Sequence, residues 1–322
     1  MTSLDPQRAL NLRFQGDWGG VNLTRICGWI AQGLEARAGA HTRSHIRTGR
    51  GMGDNLVAVH RGEVDVAVST PAGFAAMARA GKGLFVEEPL PLLRAIASLP
   101  HADALLIAIG AKHGVKSFSE LREKKPALKL ALATPDGESF MGFGAEIVLA
   151  AHGISLKDLE DWGGELVYSE QPQDAVADVM SGKADSIIQE AIMTPWWKDM
   201  TDKFDFDYLS LEPEAEKRIE DEYALKSVTV KSGRLRGIDS DLRAVSFEGW
   251  MVVVREDMRD DVAGLIATIL IETSDFFEHQ YNHRPVELSP LDYPLTPERL
   301  ADVPIPLHPG AEAYYKSIKA IS

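Results

Sequence analysis

From Asn55 to Thr70 the chain reads NLVAVHRGEVDVAVST. Apolar residues first recur at helical spacing, Gly62 interrupts them, and from Val64 onward apolar positions alternate as in a strand. The pattern returns in DAVADVMSGKADSIIQ, residues 174–189, with Gly182 and Asp185 standing where the first copy has Gly62 and Asp65. Upstream, LNLRF (10–14) alternates as a strand and QGDWGG follows as a Gly-rich turn. Val21, Ile26, Trp29, Ile30 and Leu34 predict a helix over 21–38 that Gly39 stops, and HTRSHIRTGRG predicts a second strand ending in another Gly-rich loop. Residues 10–70 therefore read β-α-β-α-β, the pattern of a parallel sheet covered by helices.

After Pro89 and Pro91 the chain runs extended through RAIASLPHADALLIAIG, and a second β-α-β-α-β series follows. LKLALATPDGESF predicts strand and turn, MGFGAEIVLAAHGI a helix, GELVYSEQP a strand, and the repeated segment supplies helix and strand again. A shift of 120 positions maps Leu10 to Leu130, Leu12 to Leu132, Gly33 to Gly153, Asp54 to Asp174, Gly62 to Gly182 and Asp65 to Asp185, which makes a shared topology the economical explanation. Residues 202–226 are charge-rich and predict a solvated helix and loop. FEGWMVVVRED (247–257) predicts a strand returning to the first series, DDVAGLIATILIETSDFFEHQY an amphipathic helix, and the Pro-rich stretch 284–310 a surface wrap before a short terminal helix. The expected architecture is α/β with two lobes, residues 1–108 with 246–322 and residues 109–245. Each is expected to be a mainly parallel sheet flanked by helices, with a ligand cleft between the lobes. Ligands of parallel sheets lie beyond the carboxyl ends of the strands, which singles out four loops in two equivalent pairs.

Composition acts mainly by exclusion. The 322 residues suffice for two domains, and a formal charge of −14 argues against nucleic acid as a partner, because phosphate binding relies on clustered Lys and Arg. Cys27 is the single cysteine, so neither an intramolecular disulfide nor a thiolate metal cluster can form, and its place predicts a small buried apolar residue. No apolar run reaches the ~18 residues of a membrane span, so no direct membrane insertion is expected. MTSLDPQRAL lacks the features of a secretory signal. The expected location is cytoplasmic for the chain as it stands, or periplasmic if a signal has been removed. His41/His45 and His279/His283 share a four-residue spacing with no Glu between them, too little for a zinc site, so no metal is expected. There is no P-loop, nucleophile elbow or kinase signature, and no cofactor is expected.

The order of elements, with three motifs, resembles the TAXI-type solute receptors of TRAP transporters, within the type II periplasmic-binding-protein fold. PIPLHPGAEAYYK (304–316) is similar to that family's closing pattern, and TGRGMGDNLVAVHRGEVDVAV to its Thr-Gly-Gly-Ser loop with Glu-Asn-Leu and Gly-Glu-Ala-Asp. ATPDGESFMGFGAEIVLAAHGI resembles its Gly-Ser-Gly-Thr loop and helix, and HRP (283–285) its late His-Pro. The likeness spans about residues 10–316 and departs in the loops. DWGGVNLTR stands where the family has Gly-Gly, paired tyrosines and Pro, and Gly49, Arg50 and Gly51 stand where Gly-Gly-Ser is expected.

The candidate site follows from the loops. Asp17, Trp18, Gly19 and Gly20 open the first helix, where backbone N–H groups and the helix dipole suit a carboxylate or phosphate; Asp17 reads equally as an N-cap, and Trp18 as a cleft floor or a packing residue. Arg50 is the preferred anion-binding residue, its planar fork matching a carboxylate, with Gly51 letting a ligand approach the backbone. Arg43, His45 and Arg47 fall on one strand face that solvent alone can explain. Ser69 and Thr70 end the third strand, and the 120-residue shift makes Gln189 and Glu190 their equivalents. In the second series Ser139 is a contact by its match to the family's loop, with Phe140 beside it. Asp136 and Glu138 read as first-turn residues stabilising the helix. Trp196 and Trp197 read as a stacking surface, a lid or packing.

These readings lead to a binding protein that captures a small organic anion, its partners being that anion and, if exported, membrane transporter subunits. The alternatives are a cytoplasmic enzyme on the same fold, a lyase or decarboxylase using Glu190 and Arg50, or a cytoplasmic ligand sensor.

Overall fold

The computed structural model describes residues 9–19, 22–137 and 139–322. The chain divides into two compact units: Met1–His101 with Glu248–Arg284 and Leu291–Ser322, and Ala102–Phe247 with Pro285–Pro290. Three alternations of strand and helix open unit 1: β1 (Asn11–Gln15), α1 (Asn22–Arg37), β2 (Arg43–Arg47), α2 (Gly53–His60), β3 (Val66–Ser69) and α3 (Ala72–Arg79). β4 (Leu93–Leu99) follows. The chain then builds unit 2 with β5 (Ala104–Gly110), α4 (Phe118–Lys124), β6 (Lys129–Ala133), α5 (Phe140–Ala151), α6 (Leu156–Asp161), β7 (Glu165–Ser169), α7 (Pro172–Met180) and β8 (Ser186–Gln189). α8 (Pro195–Lys203), β9 (Phe206–Tyr208), α9 (Pro213–Tyr223), β10 (Ser227–Val230) and β11 (Leu242–Ser246) complete it. β12 (Trp250–Arg255), α10 (Asp260–Glu272), α11 (Ser274–Tyr281), α12 (Pro297–Ala301) and α13 (Pro309–Ser317) belong to unit 1.

The sheet of unit 1 has the order β2-β1-β3-β12-β4, and that of unit 2 runs β10-β11-β5-β8-β6-β7 with β9 paired to β5. In each, a parallel trio (β2-β1-β3; β7-β6-β8) meets an antiparallel neighbour on the same side, β12 against β3 and β5 against β8. The sheets are therefore mixed, their parallel part being the trio that the repeated segments build. The repeated residues work at the amino ends of these strands. Gly62 and Gly182 take φ of +69° and +80°, left-handed turns that favour glycine. Asp65 then accepts the Arg13 N–H at 2.8 Å and Asp185 the Lys129 N–H at 3.1 Å.

α1 turns Leu23, Ile26, Cys27, Ile30 and Leu34 onto one buried face, against Val66 and Val68 of β3 and Ile266, Ile269 and Leu270 of α10. Burying a Leu or Ile side chain contributes about 1.5–3 kcal/mol, so packing rather than intrinsic propensity holds this helix. The motif near the C-terminus is structural. Ala95 donates to Pro306 O and His308 to Ala95 O, adding a short bridge to the edge strand β4. His308 Nδ1 then accepts the Gly310 N–H at 3.2 Å as the cap of α13, and Tyr315 is fully buried. In unit 2 the stretch 202–226 contributes not only α9 but also β9, and β10 and β11 follow it, three strands beyond the expected helix and loop.

Candidate functional site

In unit 1 the carboxyl ends of β1 and β3 carry most of the candidate residues. Asp17 is 2% exposed, and its carboxylate accepts Leu23 N–H at 2.8 Å and the Thr24 hydroxyl at 2.7 Å. It thus caps α1, its own carboxylate accepting the Leu23 and Thr24 amides, the cap that the sequence offered beside a ligand contact. Asp54, in the first turn of α2, instead reaches back to the loop before the helix, accepting Arg50 N–H at 2.7 Å and Met52 N–H at 3.2 Å. Asn55, fully buried, donates to Gly16 O at 3.0 Å and Val68 O at 2.7 Å while accepting from Gln15 Nε2 at 2.7 Å. This knot fixes Arg50–Gly51 against the strand ends, where Thr70 N–H donates to Gly51 O at 2.8 Å and the Ser69 hydroxyl to Met52 O at 3.2 Å. Gly51 sits with φ +79°, its α-carbon facing Asp17 and Leu23, and Gly19 has φ +91° beside Thr48. Gly20 lies outside the described residues, as does Glu138. Trp18 Nε1 and Thr70 Oγ1 are buried polar atoms with no hydrogen-bond partner. Cys27 is inert: burial first, then the Asp17 charge, push its thiol up to about 12. Arg47 pairs with Glu63 at 3.1 Å on an exposed face with Arg43 and His45.

In unit 2 the equivalent edge is formed by β6 and β8. Ser139 stands at the N-cap position of α5 without a side-chain capping bond, is 6% exposed and donates its N–H to Asp136 at 2.9 Å. The Phe140 ring is fully buried against Phe247, at 5.3 Å between centroids, so packing accounts for it. Gln189 is fully buried; its Oε1 accepts Glu190 N–H at 3.0 Å and its Nε2 has no partner. The Glu190 carboxyl is hydrogen-bonded to Asp103, and burial, followed by the charge of Asp103, raises its pKa well above the ordinary carboxylate range. Asp103 accepts Ala104 N–H at 2.8 Å, Ala191 N–H at 2.9 Å and Ile192 N–H at 3.1 Å. These bonds hold Ala191 at φ +64°, a left-handed conformation that costs a non-glycine residue about 1 kcal/mol or more. The two tryptophans separate: Trp197 is fully buried and donates Nε1–H to Glu190 O at 2.7 Å, whereas Trp196 is 37% exposed on the first turn of α8.

Sequence reasoning missed Asp103 and Asn55. Asp103 was legible only as a lone acid in the apolar run SLPHADALL, and Asn55 only within the matched Asn-Leu pair. A cavity of about 410 Å³ opens at the opposite, amino ends of β1 and β3, lined by Arg13, Asp65, Arg255, Asp257 and Arg259 among others. Its arginines are neutralised by Asp65 at 3.0 Å, Asp257 at 2.5 Å and Asp261, so it presents no unpaired positive charge. Among the described residues no group of three or more His, Cys, Asp or Glu stands placed to hold a metal, and no helix is long and apolar enough to cross a membrane.

No curated protein matches the chain. A solved Xanthomonas citri protein bound to ATP matches 97% of this chain and 96% of its own, with 13% identity and a TM-score of 0.50. PhnD1 from Prochlorococcus marinus, in complex with methylphosphonate, matches 98% and 100% at 9% identity and TM-score 0.47. The alkanesulfonate-binding protein SsuA from Xanthomonas axonopodis pv. citri, bound to MOPS, matches 84% and 75% at 14% identity and TM-score 0.44. Such likeness speaks to the fold alone, which is two-lobed α/β of the type II periplasmic-binding-protein kind. A family model covers residues 24–318, nearly the whole of the two units, and the chain belongs to the NMT1-like family.

Proposed function

We propose that the protein is a solute receptor that binds a small organic anion, and that within its family it is of the TAXI type. The observation that supports this reading is the set of unpartnered buried atoms at strand ends, Trp18 Nε1 and Thr70 Oγ1 in unit 1 and Gln189 Nε2 in unit 2. A buried donor without an acceptor costs about 1–3 kcal/mol, and these residues stand at the carboxyl end of a parallel strand (Gln189) or just beyond one (Trp18 and Thr70), where α/β sheets bind ligands. An N–H donor and a hydroxyl in unit 1, and an N–H donor in unit 2, each ask for acceptor oxygens, and in unit 1 Arg50 adds the planar fork suited to a carboxylate. The partner for transport, if the protein is exported, is a membrane transporter.

A thermal-shift screen of carboxylic acids, with mass spectrometry of each mixture, tests the reading. The expected hit is recovered intact, and Trp18→Phe, Thr70→Val or Gln189→Leu each weaken it about tenfold, the loss of one well-placed hydrogen bond. Arg50→Ala weakens it further. Unchanged affinity in all four variants removes the proposed site. A second reading, a lyase, draws on the buried Asp103–Glu190 pair, since enzymes place carboxyl groups of raised pKa where protons move. Turnover of the hit that Glu190→Gln abolishes decides for it.

A further inference from the structure

Glu190 follows β8 directly and is 8% exposed, with its carboxyl against that of Asp103, itself 3% exposed. Asp103 takes three backbone N–H groups, from Ala104, Ala191 and Ile192, and is thereby built to remain an anion. A second buried carboxylate against it is costly, and a proton on Glu190 donated to Asp103 removes that cost. The surrounding elements supply little else. β5 is wholly apolar from Ala104 to Gly110, Lys129 is exposed at the far end of β6, and α5 carries only the exposed Glu146. On α7, Asp178 pairs with Lys183 at 3.1 Å, and Asp174 lies in its first turn. α8 turns Lys198 and Asp199 to solvent and meets Glu190 through Trp197. Arg234, between β10 and β11, acts on Asp103. An independent pointer to a ligand is Gln189, fully buried: its Oε1 accepts the Glu190 backbone N–H, so the unpartnered Nε2, on the same carbon, lies close to the Glu190 backbone.

We propose that Glu190 and Asp103 share one proton and that an anionic ligand binds beside Gln189 Nε2 only while that proton is held, so that the pair sets ligand affinity by pH. This rests on the anion-binding reading above. Loss of the proton places a second negative charge beside the ligand, and alkaline conditions release it.

The test uses the full chain labelled with carboxyl-¹³C glutamate, the Glu190 signal being the one missing from Glu190→Gln. Glu190 is expected to keep the neutral-acid shift well above the range near pH ~4.3 in which exposed glutamates ionise. In parallel, succinate and sulfate are titrated at pH 6.5 and pH 9, where their own charge is complete. Wild-type affinity is expected to fall about tenfold or more at the higher pH, whereas Glu190→Gln, whose amide still donates to Asp103, changes less than about threefold. A Glu190 signal that titrates with the exposed glutamates overturns the proton sharing. Anions that bind equally at both pH values overturn the gating alone, and full affinity in Gln189→Leu overturns the placement. If neither anion binds either protein while Glu190 titrates high, the anion reading itself fails and the gating with it.

Discussion

Side chains at the candidate site divide into those that build and those left over. Asp17, Asp54 and Asn55 spend their polar atoms on backbone groups and on Gln15, while Trp18 Nε1, Thr70 Oγ1 and Gln189 Nε2 are left without partners. The capping role of Asp17 was legible, because an acid before a helical pattern is a local signal. The role of Asp103 was not, since Ala191 and Ile192, whose amides it binds, lie 88 and 89 residues further on. The same logic governs His152, 4% exposed and stacked on Phe118 at 3.5 Å. Its Nε2 accepts Glu212 N–H at 3.1 Å, so Nδ1 carries the proton toward Val148 O at 2.7 Å. Burial lowers its pKa from 6.5, outweighing the opposing pull of Val148 O and Glu212. Below pH 6.5 the unfolded chain therefore binds a proton that the fold resists. Stability falls as pH drops from 6.5 toward the depressed value, by about 1.4 kcal/mol per unit. Urea melts from pH 7.5 to 5 measure this, and His152→Gln is expected to flatten the decline.

At the scale of elements, the repeated segment proved to be construction: Gly62 and Gly182 turn the chain, and Asp65 and Asp185 clamp the neighbouring strand. This was readable because turn residues act within a few positions. β9, β10 and β11 were not, being three to five residues long and set among charges, so that sheet pairing rather than alternation creates them. Nor could a sequence tell Trp196 from Trp197, since the helix direction that buries one exposes the other. The terminal motif also gains its meaning from packing. A Cβ on Gly310 would lie 2.0 Å from Asp260 O, so α13 meets the start of α10 backbone to backbone. Gly310→Ala is expected to destabilise by about 1–3 kcal/mol through overpacking. Gly28→Ala, with nothing within 4 Å of the new methyl, is expected to stabilise α1 by about 0.5–1 kcal/mol. Urea midpoints that do not separate the two variants contradict this account.

For the whole molecule, ligand binding and folding are linked. A ligand at about 100 times its Kd adds about 2.7 kcal/mol to the state that binds it. With an unfolding entropy of about 2.1 cal/mol/K per residue, a chain of 322 residues unfolding as one shows a Tm increase of about 4 °C. A larger shift at that saturation implies that only one of the two units unfolds in the transition, and calorimetric enthalpy separates the cases. Periodicity alone determined that the chain holds two β-α-β-α-β series, where their parallel trios lie, and which strand ends merit attention. Hydrophobic spacing and turn residues are local, and a repeat states them twice. Tertiary structure alone decided that each trio is flanked by an antiparallel strand, that the amides opening α1 answer to Asp17 and those of the loop before α2 to Asp54, and that Glu190 faces a second acid. Those outcomes depend on which distant residues share a desolvated volume, where one unmatched charge or donor outweighs any local preference.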